Sequence, residues 1–432
     1  MKVVAFLPAK GSSSRVHNKN TRIFNGEPFF AFTLKKLLQC DFIDEVYIDS
    51  EDEGILSVGK RLGAKVMRRD AKLASNATDG NRLFMNEVMQ VEADIYIQAL
   101  CTSPFVKIET IRTAVETLKS NAAYDSVVLG RNDKFYEWIN GSPSYDIQNI
   151  PNSVDMAERH IEAMSLYVIR ADAARRTQRR IGDRPKMIFG DSTELIDVNT
   201  PEEFFLAEKV AAGILAEENR RLKLLGIFLS SPVLSDICDE FGIHSVLSRQ
   251  FACNLPHQRV IGRARTLEIR PTREGESETG IYDALQSYKL VASNDIMVIK
   301  NQLPEYAYFG ELNMSLAVRS GAVAALIDGV TRDSAATMRA NFPVFSKGTY
   351  CKDIKGRGTL QSMNEPVEID GVRIDPSSLI FADQDGVVVI PPAYESRILR
   401  RAVDVLVTEK NILADICSDV EIDSLVERNG FF

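Results

Sequence analysis

Two successive α/β domains are predicted for this chain of 432 residues, and three observations predict them. The length exceeds one ordinary domain and suits two, while 45% apolar residues let each half bury its own core. The first half alternates strand-like and helix-like runs, which implies a mainly parallel sheet covered on both faces. The second half starts a new pattern after a long helical stretch with a polar middle.

The strand-like runs of the first half are KVVAFLP, EVYIDS, AKVMRR, DIYIQAL, DSVVLG, AMSLYVIR and ELIDV; helical patterns such as PFFAFTLKKLLQC, ILSVGKRLG and IETIRTAVETLKS sit between most of them. From Pro201 the stretch PEEFFLAEKVAAGILAEENRRLKLL reads as a helix whose polar part marks a linker. The expected division is therefore a domain over 1–215, a helical linker over 216–226 and a second domain over 227–432. That domain opens with SSPVLSDICDEFG as a helix, and strands are expected in RVIGRARTLEI, DIMVIK, VAALIDG, PVEIDGVRI and SLIFADQDGVVVIPP. No repeat or low-complexity tract interrupts either half.

Composition narrows the function. A net charge of -8 argues against a surface that coats nucleic acid. No apolar run approaches the roughly 20 residues that span a bilayer. Met1 leads straight into a strand with no signal-peptide pattern, so a cytoplasmic protein is expected. The six cysteines are scattered, without a CxxC pair or nearby histidines, and read as reduced structural thiols. His17, His160, His244 and His257 form no ligand spacing, and Trp138 with Phe135 and Tyr136 reads either as a sugar-stacking surface or as an aromatic loop.

The loop AKGSSSRVHNKN (9–20) follows the first strand, at the strand end where ligands of such sheets bind. Small residues let backbone N–H groups approach phosphate oxygens, and Lys10, Arg15, Lys19 and Arg22 supply positive charge. The spacing is neither GxxxxGK[ST] nor GxGxxG. Phosphate binding and a solvated basic turn are the two readings of the residues alone.

The wider pattern resembles the acylneuraminate cytidylyltransferases, whose opening signature is [IL]-x-A-R-x-x-S-K-G-x-x-x-K-N-x-R. LPAKGSSSRVHNKNTR places Lys10 at the arginine and Ser13 at the serine, with Lys19, Asn20 and Arg22 in register; RRDAKLASNATDG, TSPF and IDVNTPEEF also match. The resemblance covers about residues 1–215 and implies a doubly wound, Rossmann-like nucleotidyltransferase fold. It also implies a CTP site formed by Ala9, Lys10, Ser13, Arg15, Lys19, Asn20, Arg22, Arg69, Thr102 and Ser103. Ser14 stands where the family has a lysine, with Arg15 beside it as a substitute. Asp197 and Asn199 stand at the family's Asp-x-Asp and are expected to hold Mg²⁺ or Mn²⁺, hard cations that prefer oxygen. The same NTPEE string also reads as a helix start, with Thr200 or Asn199 at the N-cap and Pro201 at N1. Glu162 is retained at the acceptor-sugar motif, although its glycine is missing. The implied reaction joins CMP to a sugar acid and releases pyrophosphate.

In the second half, FGELNMSLAVRSGAVAALIDGVTRD (309–333) resembles the 4-hydroxy-4-methyl-2-oxoglutarate aldolases and RraA-like proteins. SSPVLSDICDEFG, VIGRARTLEI, FPVFSKG and FADQDGVVVIPP extend the match over about 227–396. The resemblance implies an RraA-like α/β domain in which Gly310, Glu311, Leu312 and Asn313 hold a keto-acid carboxylate, Arg332 polarises the keto oxygen and Asp333 carries Mg²⁺ or Mn²⁺. Members that regulate ribonucleases lack this aspartate, so Asp333 favours an enzyme; PSS at 376–378 replaces the usual PGD of a structural turn. Aldol cleavage beside pyruvate creates an enolate whose charge needs stabilising as it forms. Arg332 adds a fixed cation there, and no Schiff-base lysine is required. Taken alone, RD also reads as a surface ion pair.

The expected whole is a bifunctional enzyme: a pyruvate aldolase that makes or cleaves a 2-keto-3-deoxy sugar acid, and a transferase that converts such an acid into its CMP ester. The rival expectation is a working transferase joined to a non-catalytic RraA-like module for oligomerisation or protein binding. The partners expected are CTP, a sugar acid, pyruvate or another 2-keto acid, and further copies of the chain in a trimer or hexamer through the second domain.

Overall fold

A computed structural model describes residues 1–429 except Ser14, Asn76 and Glu278. The chain divides into two compact units, Met1–Ala211 and Ala212–Phe432. Among the described residues no helix is long and apolar enough to cross a membrane.

The first unit is built on seven strands: β1 (Val3–Pro8), β2 (Glu45–Ser50), β3 (Lys65–Arg68), β4 (Ile95–Ala99), β5 (Ser126–Asp133), β6 (Arg159–Arg170) and β7 (Pro185–Phe189). Their order is β7-β5-β6-β4-β1-β2-β3, and β6 alone runs antiparallel to its neighbours. Every residue of β1 is buried, as a central strand covered on both faces requires. The covering helices are α1 (Phe29–Leu38), α2 (Glu53–Leu62), α3 (Gly80–Val88), α4 (Ile108–Ser120) and α5 (Ala171–Thr177). One face packs Leu7, Leu34, Ile48 and Val115; the other packs Phe6, Phe84, Met85 and Tyr96. From β1 the chain winds outward to β3, then returns to place β4 on the other side of β1. The crevice at the carboxyl ends of β1 and β4 is thus the switch point where open α/β sheets bind ligands.

Two elements differ from expectation. ELIDV (194–198) is not a strand; Glu194 accepts from the N–H groups of Lys107 and Asp191, which ties the segment to neighbouring turns. The edge position goes instead to PKMIF (185–189), which pairs parallel to β5.

Helix α6 (Pro201–Phe228) continues through residues 216–226, the expected linker. These residues pack within the second unit: Leu222 is buried with Ile261 and Phe381, Asn219 donates to Ser293 O at 2.8 Å, and Glu218 pairs with Arg263. The unit boundary therefore falls four residues before the expected domain end.

The second unit contains α7 (Ser231–Glu240), β8 (Val260–Pro271), β9 (Asp295–Asn301), α8 (Glu311–Ser320), β10 (Ala324–Asp328), α9 (Ser334–Arg339), β11 (Val344–Ser346), β12 (Gly358–Met363), β13 (Leu379–Ala382), β14 (Val387–Ile390) and α10 (Glu395–Cys417). Strands β8 to β11 are parallel neighbours in chain order, and the hairpin of β13 and β14 extends the β8 side antiparallel. Both faces of this sheet are apolar, with Met297, Ile299 and Ile327 on one side and Ile296, Val298 and Leu326 on the other.

Candidate functional sites

Three consecutive residues fix the start of the loop after β1. The Ala9 N–H donates to Asp49 O at 2.9 Å. Lys10 O accepts from Asn20 Nδ2 at 2.8 Å, and the Gly11 N–H donates to Glu51 Oε1 at 2.8 Å. A Cβ on Gly11 would lie 2.6 Å from Asp52 Oδ2, so only glycine fits this corner.

Lys19 is the buried cation of the loop. It is 6% exposed, and its Nζ donates to Val198 O at 2.6 Å. Burial pushes its pKa below the ordinary lysine value; Arg15 and Lys10 push the same way, while Cys101 and Asp197 oppose them. Lys10, Arg15, Lys19 and Asp197 thus share one electrostatic neighbourhood. Asn20 is buried beside them, and its Oδ1 accepts from Cys101 Sγ at 3.2 Å. Arg22 points elsewhere: its guanidinium lies over the Phe204 ring at 4.5 Å. Ser13 is half-buried, and Ser14 lies outside the described residues.

The loop after β4 lies against the segment that carries Asp197. Thr102 O accepts from the Val198 N–H at 2.8 Å, which brings Asp197 and Asn199 next to the 100–103 turn. Ser103 Oγ and Asp197 Oδ1 are buried without a hydrogen-bond partner among the described residues. The second Asp197 oxygen accepts from the Asn199 amide. The helix-start reading of NTPEE also holds. Glu203 Oε2 accepts from the N–H groups of Asn199 and Thr200 at 2.7 and 2.9 Å, and the Glu203 N–H donates to Thr200 Oγ1 at 3.2 Å, a capping box.

Arg69 is buried and turned toward carboxylates. Its Nε and Nη2 donate to Glu51 Oε2 at 3.2 and 3.1 Å, and its Nη1 reaches Asp49 Oδ2 at 3.4 Å. Glu162, on β6 just before a register shift, accepts from the Tyr167 hydroxyl, over whose ring Arg180 sits at 3.8 Å. Sequence reasoning missed Glu51, Asp49 and Glu87. Their only signal was acidic residues within or beside apolar runs, where burial demands a partner.

In the second unit, Gly310 precedes α8, and the Glu311 N–H donates to Asp333 Oδ2 at 3.1 Å. A Cβ on Gly310 would come within 2.5 Å of that oxygen. Asp333 holds a left-handed φ of +57°, a conformation that costs an L-residue about 1–2 kcal/mol and turns its carboxylate back to the helix start. Arg332 Nε lies 3.8 Å from Asp333 Oδ2, and its Nη1 is paired with Asp353 Oδ2 at 2.7 Å. Asp353 was not anticipated. Asn313 Nδ2 donates to Tyr308 O at 2.6 Å, while Leu312 is 81% exposed. A separate polar cavity of about 540 Å³ opens at the carboxyl ends of β9–β11, where Lys300 and Lys347 both pair with Asp328.

An open, mostly parallel α/β unit with a cationic loop at its switch point, followed by a second α/β unit with a Gly-Arg-Asp cluster, is the class these features define. Residues 4–180 match the family model described as Cytidylyltransferase, and residues 232–389 match that described as Aldolase/RraA. The N-terminal half is thus a cytidylyltransferase-like domain and the C-terminal half an RraA-like domain. Protein DlpA of Legionella pneumophila is 28% identical over 46% of this chain, which spans 32% of DlpA. The CMP-N,N'-diacetyllegionaminic acid synthase of the same species is 27% identical over 49% of this chain and 96% of its own length. A candidate 4-hydroxy-4-methyl-2-oxoglutarate aldolase of Halalkalibacterium halodurans is 31% identical over 34% of this chain and 66% of its own length.

Proposed function

We propose that the first unit transfers CMP from CTP to a 2-keto-3-deoxy sugar acid of the ulosonic or nonulosonic class, releasing pyrophosphate. The single observation that carries this reading is the buried Lys19 of the first loop, whose Nζ donates to Val198 O at 2.6 Å beside Asp197 at the switch point of the sheet. Lys10 and Lys19 hold phosphate oxygens, and the anomeric hydroxyl of the acceptor attacks the α-phosphorus. The new O–P bond forms as the bond to the β-phosphate oxygen breaks. Such transfer needs positioning and charge neutralisation rather than a covalent intermediate. Anionic phosphate beside Lys19 offsets the burial that disfavours its charged form. Ala9, Ser13, Asn20, Thr102 and Ser103 line the nucleotide side in this reading, Arg69 borders it, and Glu162 belongs to the acceptor side, while Arg22, stacked on Phe204, is left out of the nucleotide set.

The orphaned Asp197 Oδ1, with the Asn199 carbonyl as a second donor, fits Mg²⁺ or Mn²⁺. When bound there, the ion supplies positive charge against the triphosphate. Asp333 fits a second such ion, because its partly exposed carboxylate leaves the remaining ligands to water and substrate. The second unit is proposed to cleave or form the bond between pyruvate and an aldehyde. The 310–313 turn holds the keto-acid carboxylate, and Arg332 stabilises charge on the keto oxygen as the enolate develops. The two reactions join through one metabolite class, since the aldol product is a 2-keto-3-deoxy acid.

A second reading has an observation of its own. The Asp353 carboxylate neutralises Arg332, the cation that the aldol step requires. In that case the second unit is a non-catalytic oligomerisation or protein-binding domain. The test is a screen of purified protein with CTP, Mg²⁺ and octulosonic and nonulosonic acids. Pyrophosphate release with at least one acid is expected, and silence across the panel removes the transferase. EDTA-sensitive pyruvate release from a 4-hydroxy-2-keto acid separates the aldolase from the module.

A further inference from the structure

The loop start is held from below by Glu51, Asp49, Glu87 and Gln98, to which neither sequence nor comparison assigns a role, and by Arg69, which the sequence resemblance places only in the nucleotide site. Glu51, just past β2, divides its carboxylate: Oε1 accepts from the Gly11 N–H at 2.8 Å, and Oε2 accepts from Arg69 Nε and Nη2 at 3.2 and 3.1 Å. The other edge of Arg69 reaches Asp49 Oδ2 at 3.4 Å. Asp49 neighbours Glu87 of α3, whose carboxyl is pushed up by burial and by Asp49, and Gln98 of β4 donates to Glu87 Oε2 at 2.7 Å. Asp49 and Glu87 are fully buried, and Gln98 is 1% exposed. Two carboxyl groups can hydrogen-bond each other only if one carries a proton. The orphaned Asp49 Oδ1 and Glu87 Oε1 fit such a half-neutralised pair.

The guanidinium of Arg69 is therefore spent on carboxylates on both edges, in a fork geometry that fixes Glu51 as firmly as it is fixed itself. On the loop side, Asp52, which caps α2 through Ile55 N at 2.9 Å, leaves no room for a side chain at position 11. We infer that Glu51 is a positioning residue for the nucleotide loop, clamped by Arg69 on a buried Asp49–Glu87–Gln98 support. It sets the plane of the Gly11 peptide, and with it the direction in which Lys10 and Ser12 face the phosphates. The inference rests on the nucleotide reading of this loop. Arg69 then serves the nucleotide through Glu51 and Gly11.

Glu51→Ala, Glu51→Gln and Arg69→Met in the full chain test this. Two readouts are needed: steady-state pyrophosphate release, and amide exchange of peptides covering residues 9–20. For Glu51→Ala the expected result is a KM for CTP raised about tenfold or more, because small displacements of a positioning group are costly. The sugar-acid KM stays unchanged, and exchange in the loop quickens. Glu51→Gln should fall between, since its amide oxygen still accepts from Gly11 while the ion pair to Arg69 is lost. Arg69→Met should match Glu51→Gln. Unchanged loop exchange in a folded Glu51 variant overturns the inference, and so does tighter CTP binding, which would mean that the carboxylate opposes phosphate. If Glu51→Ala fails to fold, Glu51→Gln carries the same comparison. Should the wild type bind no CTP, the transferase reading falls, while the exchange readout still decides whether Glu51 holds the loop.

Discussion

Glu87 shows how far a buried acid can depart from ordinary behaviour. Burial pushes its carboxyl well above the usual value near 4.5, and the neighbouring Asp49 pushes the same way. A raised folded pKa means that the native state holds this proton more tightly than the unfolded chain. The stabilisation is complete below about pH 4.5 and is lost as pH rises through the folded value. Glu87→Gln should remove that fall, so wild-type and variant stabilities diverge with pH by up to about 1.4 kcal/mol per pH unit. Urea denaturation of both proteins between pH 5 and 8 checks this, and parallel curves would contradict a shared proton. The loop cations were legible in the sequence because their types and order are themselves the signal. Glu51 was not, since an acid after a strand ordinarily faces water and only the fold brings Gly11 and Arg69 to it.

At the scale of elements, α6 begins where chemistry dictates. Thr200 and Glu203 satisfy three orphan amides between them, and Pro201 at N1 has no amide to satisfy. Thr200→Ala should cost about 1 kcal/mol, read as a lower urea midpoint. An unchanged midpoint would mean that tertiary packing, not the cap, sets this helix start. Most strands followed from their apolar runs. The edge strand Pro185–Phe189 did not, because an exposed edge carries a mixed pattern and is defined by its partner β5. ELIDV erred in the opposite direction: it has strand composition, but Glu194 and Val198 spend their bonds on neighbouring loops.

For the whole molecule, each unit has its own cores and its own candidate site. The two proposed activities should therefore separate by single substitutions. Lys19→Ala is expected to lower pyrophosphate release by at least about 10²-fold, as expected for loss of an electrostatic group at a reacting phosphate, while leaving pyruvate release unchanged. Asp333→Ala should do the reverse. If Asp333→Ala leaves pyruvate chemistry intact, the aldolase reading of the second unit is lost.

Most strands and helices, the two-unit plan and the residue types of both loops were legible in sequence alone, because local periodicity and residue type are written in consecutive positions. Tertiary structure decided what depends on distant positions meeting. It set the Glu51–Arg69 clamp under Gly11, the burial of Asp49 and Glu87 side by side, the pairing of Arg332 with Asp353, and the docking of residues 216–226 in the second unit. A buried charge is stable only beside the partner that compensates it, and which partner that is depends on where the folded chain returns.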